Sequence, residues 1–262
     1  MSESKTAAAD KQQLRLVSPP GYGAVEPFDK TKHAGMAVRA DYDFAWCAKL
    51  NAVYLNAVEF SRAATDFPIA FTREERSGEF VPVAVLGLRN GENLFVDDAG
   101  AWQPSAYVPA YFRRHPFCIA EIPKGDGEAP QRLVCVQSDQ LAKSDQPLMS
   151  ADGAPTPAWE NIQKLLEAIE GARQQTRVLM RRLESLELLT SFDALATSKD
   201  GKQLRLQGMF RVDEEKLAAV PTKELKQMLG KGELRCVYAH LISLENFARL
   251  LDLTSNSAKD GD

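Results

Sequence analysis

The stretch VPVAVLGLRNGENLFVDDAG, residues 81–100, contains two short apolar runs, each followed by residues that favour turns. The apolar runs are Val81–Leu86 and Asn93–Val96, and the turn signals are the Asn-Gly pair at 90–91 and the Asp-Asp-Ala-Gly run at 97–100. Apolar runs of this length with such turns between them are typical of strands joined by short loops. We therefore predict antiparallel β-structure here.

The same strand-like pattern extends outward, from about residue 25 to residue 137. One interruption is a short helix predicted at Val58–Thr65, because its apolar groups fall on one face just before Pro68. The further strands are predicted at Val53–Leu55, Pro68–Phe71, Phe117–Ile122 and Arg132–Val136.

The hydrophobic period changes to a helical one at Thr156. Thr156 is a suitable N-cap, and Pro157 is favoured at the first helical position. The apolar residues that follow have helical spacing. Gly171 predicts a break, with a second helix over 173–189. The residues of the first stripe are Trp159, Ile162, Leu165, Leu166 and Ile169.

The last third of the chain predicts a compact mixture of strands and helices. Asp213 is a suitable N-cap for a helix at Glu214–Ala219. Strands are predicted at Gln203–Val212 and Leu234–Tyr238, and further helices at Thr222–Leu229 and Leu241–Leu251. The predicted class is α+β: mainly an antiparallel meandering sheet in the N-terminal half, and helices plus a small α+β tail in the C-terminal half.

These patterns place the structured part of the chain at residues 25–254, between two polar ends, and the chain length leaves one domain or two open. Residues 1–24 are expected to be a flexible N-terminal arm, and residues 255–262 a disordered tail. Within this range, we expect a sheet-rich part at 25–137, a loop at 138–155 and a helical and α+β part at 156–254.

Composition excludes several classes of function. The 32 Lys and Arg against 36 Asp and Glu leave a net charge of −4, which provides no general attraction to nucleic acid. No apolar stretch is long enough to span a membrane, and no export signal precedes the domain, so we expect a cytoplasmic protein. The four cysteines lack metal-ligand spacing, and we expect buried thiols, no metal and no cofactor.

The motifs of several enzyme classes are also missing. The chain contains no Gly-rich phosphate loop, no GxSxG and no HExxH. Its three histidines, His33, His115 and His240, are far apart in the sequence, and each one alone is usually structural. No catalytic residue can be named from these patterns.

The most distinctive segment is 93–117, where aromatic residues and prolines surround two adjacent arginines. Guanidinium groups match carboxylates, and tyrosine gives a broad contact, so this segment could bind a peptide or a partner protein. Equally, the arginines could brace the fold by pairing with a buried acid. The candidate binding residues are Trp102, Tyr107, Tyr111, Arg113, Arg114, His115 and Glu59.

Glu59 lies in the otherwise apolar stretch NAVYLNAVEFSRAA, where an acid needs a partner. It is either a general acid or base, or a partner of Arg113 or Arg114. The catalytic reading requires Glu59, His33 and His115 to meet in one pocket. A separate arginine cluster, Arg177, Arg181 and Arg182, has the spacing of a solvated helix face.

Several motifs in their order along the chain resemble the SapC family. The resemblance covers about residues 30–252, and because its motifs fall in both halves of the chain, it implies a single integrated domain over residues 25–254. It departs at Phe67, where the family usually has Tyr, and at His115, where an aromatic residue is common. The motifs are LNAVYLNAVEF (50–60), FPIAF (67–71), VPVAVLGLRNGENLFVDDAGAW (81–102), YVPAYFRRHPF (107–117), LQGMFRVDEEKL (206–217) and YAHLISLENFARL (238–250).

The resemblance implies a context rather than an activity. The family name refers to surface layers, and its genes are expected beside flavin-dependent tryptophan-halogenase-like proteins, cupin-like proteins and TonB-dependent receptors. It assigns no catalytic or cofactor residue.

Three hypotheses follow from the residues and the resemblance together. The first is a non-enzymatic interaction protein that binds a peptide or partner protein through Tyr107–Phe117, working with a halogenase-like protein. The second is an enzyme or accessory subunit that modifies a peptide or amino-acid side chain, with a flavin or metal supplied by a neighbour. The third is a surface-layer-associated structural or secretion protein, which conflicts with the missing export signal. Homo-oligomerisation is left open.

Overall fold

The computed structural model describes residues 16–41, 43–75, 77–122, 131–197 and 203–257. The strands in these ranges are Glu26–Pro27 (β1), Met36–Val38 (β2), Ala52–Tyr54 (β3), Ile69–Arg73 (β4), Phe80–Val85 (β5), Phe117–Ile122 (β6), Gln131–Val136 (β7), Leu141–Lys143 (β8), Leu189–Thr197 (β9) and Gln203–Val212 (β10). The α-helices are Phe60–Ala63 (α1), Ala110–Arg113 (α2), Pro157–Ser185 (α3), Glu214–Ala218 (α4), Thr222–Gly230 (α5), Glu233–Ser243 (α6) and Asn246–Ser257 (α7). The α+β class is confirmed, with strands mainly in the N-terminal half and helices mainly in the C-terminal half.

A five-stranded antiparallel sheet forms the centre of the fold, in the order β3-β5-β4-β10-β9. Strand β10 comes from the C-terminal half of the chain but lies beside β4, where Phe210 is opposite Phe71. Sequence analysis missed β9, which pairs with β10 along almost its whole length. The sheet therefore joins both halves of the chain, and β3 lies at one edge of it.

Two smaller antiparallel sheets complete the β-structure of the described ranges. One has the order β1-β7-β6 and the other pairs β2 with β8. Phe117 and Val136 of the three-stranded sheet pack with Trp159 of α3 in a second, smaller apolar cluster. The long helix is thus anchored to this sheet near its N-terminus.

The predicted strand at Asn93–Val96 is wrong. The Asn93 side chain accepts a hydrogen bond from the backbone N–H of Phe95, at 3.1 Å, and donates to the carbonyl of Cys47, also at 3.1 Å. A side chain that bonds the backbone locally competes with regular strand pairing. The segment is therefore a loop whose apolar side chain, Phe95, is buried in the core.

Helix α3 runs without a break through Gly171, where sequence analysis predicted two helices. Pro157 occupies its first position, as predicted. Gly171 is exposed and crowded by no neighbour, so its cost is only the intrinsic one of about 1 kcal/mol. Apolar stripes on both sides of the glycine outweigh that cost. None of the described helices is both long and apolar enough to cross a membrane.

The predicted strand at Leu234–Tyr238 is also wrong, because this segment belongs to helix α6. The buried residues of α6 include Val237, His240 and Ser243, which are three residues apart and lie on one helical face. The following helix, predicted at 241–251, is α7 and begins at Asn246. The predicted N-cap Asp213 is confirmed, since its side chain accepts from two backbone N–H groups of α4.

The described end of the predicted N-terminal arm packs on the core. Tyr22 is buried, and its hydroxyl donates to the carbonyl of Phe117 at 3.1 Å. The carbonyl of Pro20 accepts from the Tyr111 hydroxyl at 2.7 Å. The rest of the arm, residues 1–15, and residues 258–262 of the predicted tail lie outside the described residues.

Candidate functional site

Helix α2 carries the adjacent arginines that sequence analysis singled out. The first three residues of this short helix, Ala110, Tyr111 and Phe112, are buried. Trp102 lies against Phe112, with ring centroids 5.2 Å apart, and its indole N–H donates to the carbonyl of Ala106. Most of the aromatic surface of the segment is therefore core, not a surface available to a partner.

The buried carboxylate of Glu59 holds α2 in place. One oxygen, Oε1, accepts from the N–H of Ala110 at 2.7 Å and from the hydroxyl of Tyr107 at 2.9 Å. The other, Oε2, accepts from the backbone and the side-chain amide of Asn56, at 3.0 and 2.9 Å. All four contacts are to structural groups, and a negative charge at a helix N-terminus is favourable. This arrangement favours the bracing role for Glu59.

Arg113 lies on the surface beside this carboxylate. Its side chain is 46% exposed, and its Nη2 is 3.8 Å from Oε1 of Glu59. The guanidinium donates to the carbonyl of Val108 and to the hydroxyl of Tyr107. Burial, together with the Glu59 charge, raises the pKa of Tyr107 to about 12. Arg113 is thus the arginine that pairs with the buried acid.

Arg114 lies in a different environment from Arg113, beside the ring of Tyr111. Its guanidinium carbon lies 4.6 Å from the ring centroid of Tyr111, a cation–π distance. Its Nε is buried without a hydrogen-bond partner, and no carboxylate of the described residues forms an ion pair with it. Burial raises the pKa of both Tyr22 and Tyr111, and the positive charge of Arg114 opposes that shift.

A groove of about 490 Å³ lies between helix α3 and the β3 edge of the central sheet, and we call it the α3–β3 groove. Its volume is within the usual range of ligand pockets. Residues 17–20 form a further wall, and Tyr111 and Arg114 lie in its lining. Its apolar surface includes Leu50, Val53, Val81, Pro82, Ile119, Leu166, Ile169 and Met180.

The other charged side chains of the α3–β3 groove have partners. Arg177 donates to Glu79 at 2.7 Å, and Arg173 lies 3.7 Å from Glu170. Outside the groove, Arg181 also pairs with Glu79. In each of these surface pairs, the carboxylate provides the counter-charge of the arginine. Of the groove's guanidinium groups, only that of Arg114 has no carboxylate partner within the described part of the chain.

His115 does not face the α3–β3 groove. It is buried, stacks on Trp46 with ring centroids 4.0 Å apart, and its Nε2 lies 3.2 Å from Oε1 of Gln137. Burial lowers the pKa of His115 to about 4. The same Gln137 oxygen accepts from the N–H of Gly23. His115 therefore helps to fasten the chain around residue 23.

The convergence of Glu59, His33 and His115 is not found. His33 is buried at the second, smaller apolar cluster. There its Nδ1 accepts from the N–H of Asp29 and its Nε2 donates to Glu26. None of the three lines the α3–β3 groove. The described residues also contain no group of three side chains that could hold a metal ion. The predicted catalytic set is therefore not assembled.

Sequence analysis missed most of the groove. The β3 edge and the helix α3 residues that line it are about 120 positions apart, and residues 17–20 come from the predicted arm. Of the residues that line the groove, only Tyr111 and Arg114 were predicted as binding residues, whereas Arg177 was assigned to a solvated helix face and Leu166 and Ile169 to an apolar helix stripe. Pro19 and Pro20 are typical of a loop, so their position in the sequence does not indicate a groove wall.

Fold and groove together define an α+β protein with a groove between a long helix and a sheet edge. The SapC family model matches residues 28–250, and the chain belongs to the SapC family. No curated protein and no solved structure shows a significant match to the chain. The family membership expected from the motifs is confirmed.

Proposed function

We propose that this chain is an interaction protein whose α3–β3 groove binds a peptide or an exposed polypeptide segment of a partner protein. The observation that carries the proposal is the guanidinium of Arg114, which lies at the groove with a buried Nε and no described carboxylate. A partly buried charge without a counter-charge is costly. An acidic group brought by a partner removes that cost.

The apolar lining of the groove supports a polypeptide ligand. A site with a largely apolar surface and one fixed charge suits side chains together with a single acidic group. Ordinary surface ion pairs, such as those of Arg173 and Arg177, frame the groove and provide further polar contacts at its rim. The halogenase-like partner implied by the family resemblance is a candidate source of the segment.

This proposal moves the binding role from the Tyr107–Phe117 segment as a whole to one of its arginines. Arg113 is already engaged by Tyr107, Val108 and Glu59. Arg114 and Tyr111 are the two residues of that segment that line the groove. The adjacent arginines therefore form a matched pair for testing.

A site-specific cross-linking experiment tests the proposal. A photoreactive phenylalanine derivative replaces Gln174, which lines the groove, or Gln175, an exposed neighbour that does not. Cross-linking is done in cells of the native host, and the attached polypeptide is identified by mass spectrometry. We expect a defined polypeptide attached at position 174 and not at position 175.

Substitutions of Arg113 and Arg114 provide a second test in the same cross-linking experiment. Arg114→Gln should strongly reduce cross-linking from position 174, whereas Arg113→Gln should leave it unchanged. Both variants are checked for folding by circular dichroism. Equal cross-linking from positions 174 and 175, no polypeptide at position 174, or equal effects of the two arginine variants would contradict the proposal.

A further inference from the structure

Strand β3 is an open edge of the five-stranded sheet. Its only strand neighbour in the described part of the chain is β5, where Val53 is opposite Ala84. The carbonyl of Asn51 accepts from Leu86, at 2.8 Å, and the N–H of Leu55 donates to Pro82, at 3.0 Å. The odd-numbered residues of this segment therefore direct their backbone groups toward β5.

Ala52 and Tyr54 direct their N–H and C=O groups to the opposite side, because successive residues of an antiparallel strand alternate. No described residue forms a hydrogen bond with these four backbone groups. Unpaired edge groups are a template for another strand. Both residues line the α3–β3 groove, so the open edge faces the site.

The proline pair in the wall formed by residues 17–20 does not pair with this edge. Pro19 and Pro20 have no backbone N–H to donate. The carbonyl of Pro19 already accepts from the N–H of Tyr22 at 3.0 Å, and that of Pro20 accepts from the Tyr111 hydroxyl. Pro19 and Pro20 therefore offer no free backbone groups to an extended segment, whereas Ala52 and Tyr54 of β3 do.

We propose that the groove binds its polypeptide by β-strand addition: an extended segment pairs with the open edge of β3 and places an acidic side chain at Arg114. This inference rests on the proposed function and specifies its ligand and mode. Backbone pairing supplies affinity with little dependence on sequence, and the pockets and charges beside the edge supply specificity. The open edge, the charge complementarity at Arg114 and the inert proline wall all favour an extended acidic segment.

Synthetic peptides provide the test on the ligand side. Hexapeptides are selected against the full chain from a random library displayed on phage, and the tightest is synthesised and titrated by calorimetry. Each of its amides is then N-methylated in turn. We expect methylation at either of two amides, two residues apart, to weaken binding by at least about tenfold. The methyl group removes the hydrogen bond that the amide donates to β3 and keeps the two strands from pairing closely. Methylation of the amide between them should have little effect.

A double-mutant cycle tests whether the acidic side chain of the peptide contacts Arg114. Replacing the acidic residue of the peptide by its amide should weaken binding to the wild-type chain about tenfold, and should have little further effect on Arg114→Gln. Arg113→Gln serves as the matched control and should behave as the wild type.

On the protein side, Ala52→Pro removes one outward N–H and places a ring on the open edge. The N–H of Ala52 does not pair with β5, and proline is tolerated in edge strands on the outward side. Ala52→Ser keeps the N–H and is the control. We expect Ala52→Pro to bind the peptide at least about tenfold more weakly than Ala52→Ser, which keeps the N–H.

The outcomes separate this inference from the proposed function. If cross-linking at position 174 succeeds but N-methylation shows no alternation, or Ala52→Pro binds as well as Ala52→Ser, strand addition is wrong and the binding function stands. If cross-linking succeeds but the library yields no peptide, the ligand is not a short extended segment, and the inference is equally overturned. If cross-linking at position 174 yields no polypeptide, the proposed function fails, whatever the library yields, and this inference fails with it.

Discussion

Replacement of Glu59 by Gln distinguishes a structural carboxylate from a functional one. The substitution keeps the size of the side chain but turns one acceptor oxygen into a donor NH₂ group. Each oxygen of Glu59 accepts one hydrogen bond from a backbone N–H and one from a side chain, and the Glu59 side chain is 4% exposed. Whichever oxygen becomes an NH₂ group, the backbone N–H of Ala110 or of Asn56 loses its acceptor, whereas the Tyr107 hydroxyl can rotate to accept and the Asn56 amide can flip.

The expected loss can be worked out from those contacts. A hydrogen bond to a charged group contributes about 1.5–3 kcal/mol, so the loss of the acceptor of one backbone N–H should cost about 1.5–3 kcal/mol. This is a large fraction of the roughly 5–15 kcal/mol stability of a typical domain. Tyr107→Phe removes only the hydroxyl that donates to Oε1, and should cost about 1–2 kcal/mol.

Urea-induced unfolding, followed by tryptophan fluorescence at pH 7, measures both changes. Glu245→Gln is the control, because Glu245 is exposed and a surface substitution should change stability by no more than about 0.5 kcal/mol. If Glu59→Gln does not fold, Tyr107→Phe still tests the role of the carboxylate, because it removes one of the hydrogen bonds to Glu59. If Glu59→Gln unfolds within about 0.5 kcal/mol of the wild type, the carboxylate does not brace α2 and the structural role is refuted.

The buried histidines and thiols carry the remaining predictions. His115 and His240 have a pKa of about 4 in the folded chain against the ordinary value of 6.5. Between these values the unfolded chain binds more protons, so each should remove about 3 kcal/mol of unfolding free energy as the pH falls from 6.5 to 4. His240→Gln should flatten urea-derived stability against pH in that window, and an unchanged slope would contradict the assignment. Cys47 and Cys118 are buried with raised pKa values, and Cys135 is buried opposite Cys118 in the β6–β7 pair. Ellman's reagent should therefore label none of the three until urea unfolds the chain, and rapid labelling of the native protein would show that one of them is accessible.

Local patterns predicted the elements whose period is unambiguous. The strands at residues 53, 69, 81, 117 and 132 are present, and so are the start of α3 at Pro157 and the cap at Asp213. The errors occurred where a local cue was ambiguous. Gly171 is a weak helix breaker, and Leu234–Tyr238 is too short a run for its period to separate a helix from a strand.

The candidate site was predicted only in part. Arg114 and Tyr111 were named from composition, because guanidinium and tyrosine groups near prolines are unusual. The roles of Arg113 and Arg114 could not be separated, since adjacent residues of a helix differ by about 100° in direction. Only the packing shows that Arg113 faces Glu59 and that Arg114 lines the groove.

By itself, the sequence determined the α+β class and the family, and it singled out Glu59 as an acid that needs a partner. These features depend on local periodicity and on motifs, both of which are formed by residues close together in the sequence. The tertiary structure alone decided which residues form the α3–β3 groove, and that the open edge of β3 faces it. Those relations join residues 17–20, 50–54, 79–82 and 166–180, and contacts between segments so far apart arise only when the whole chain packs around one core.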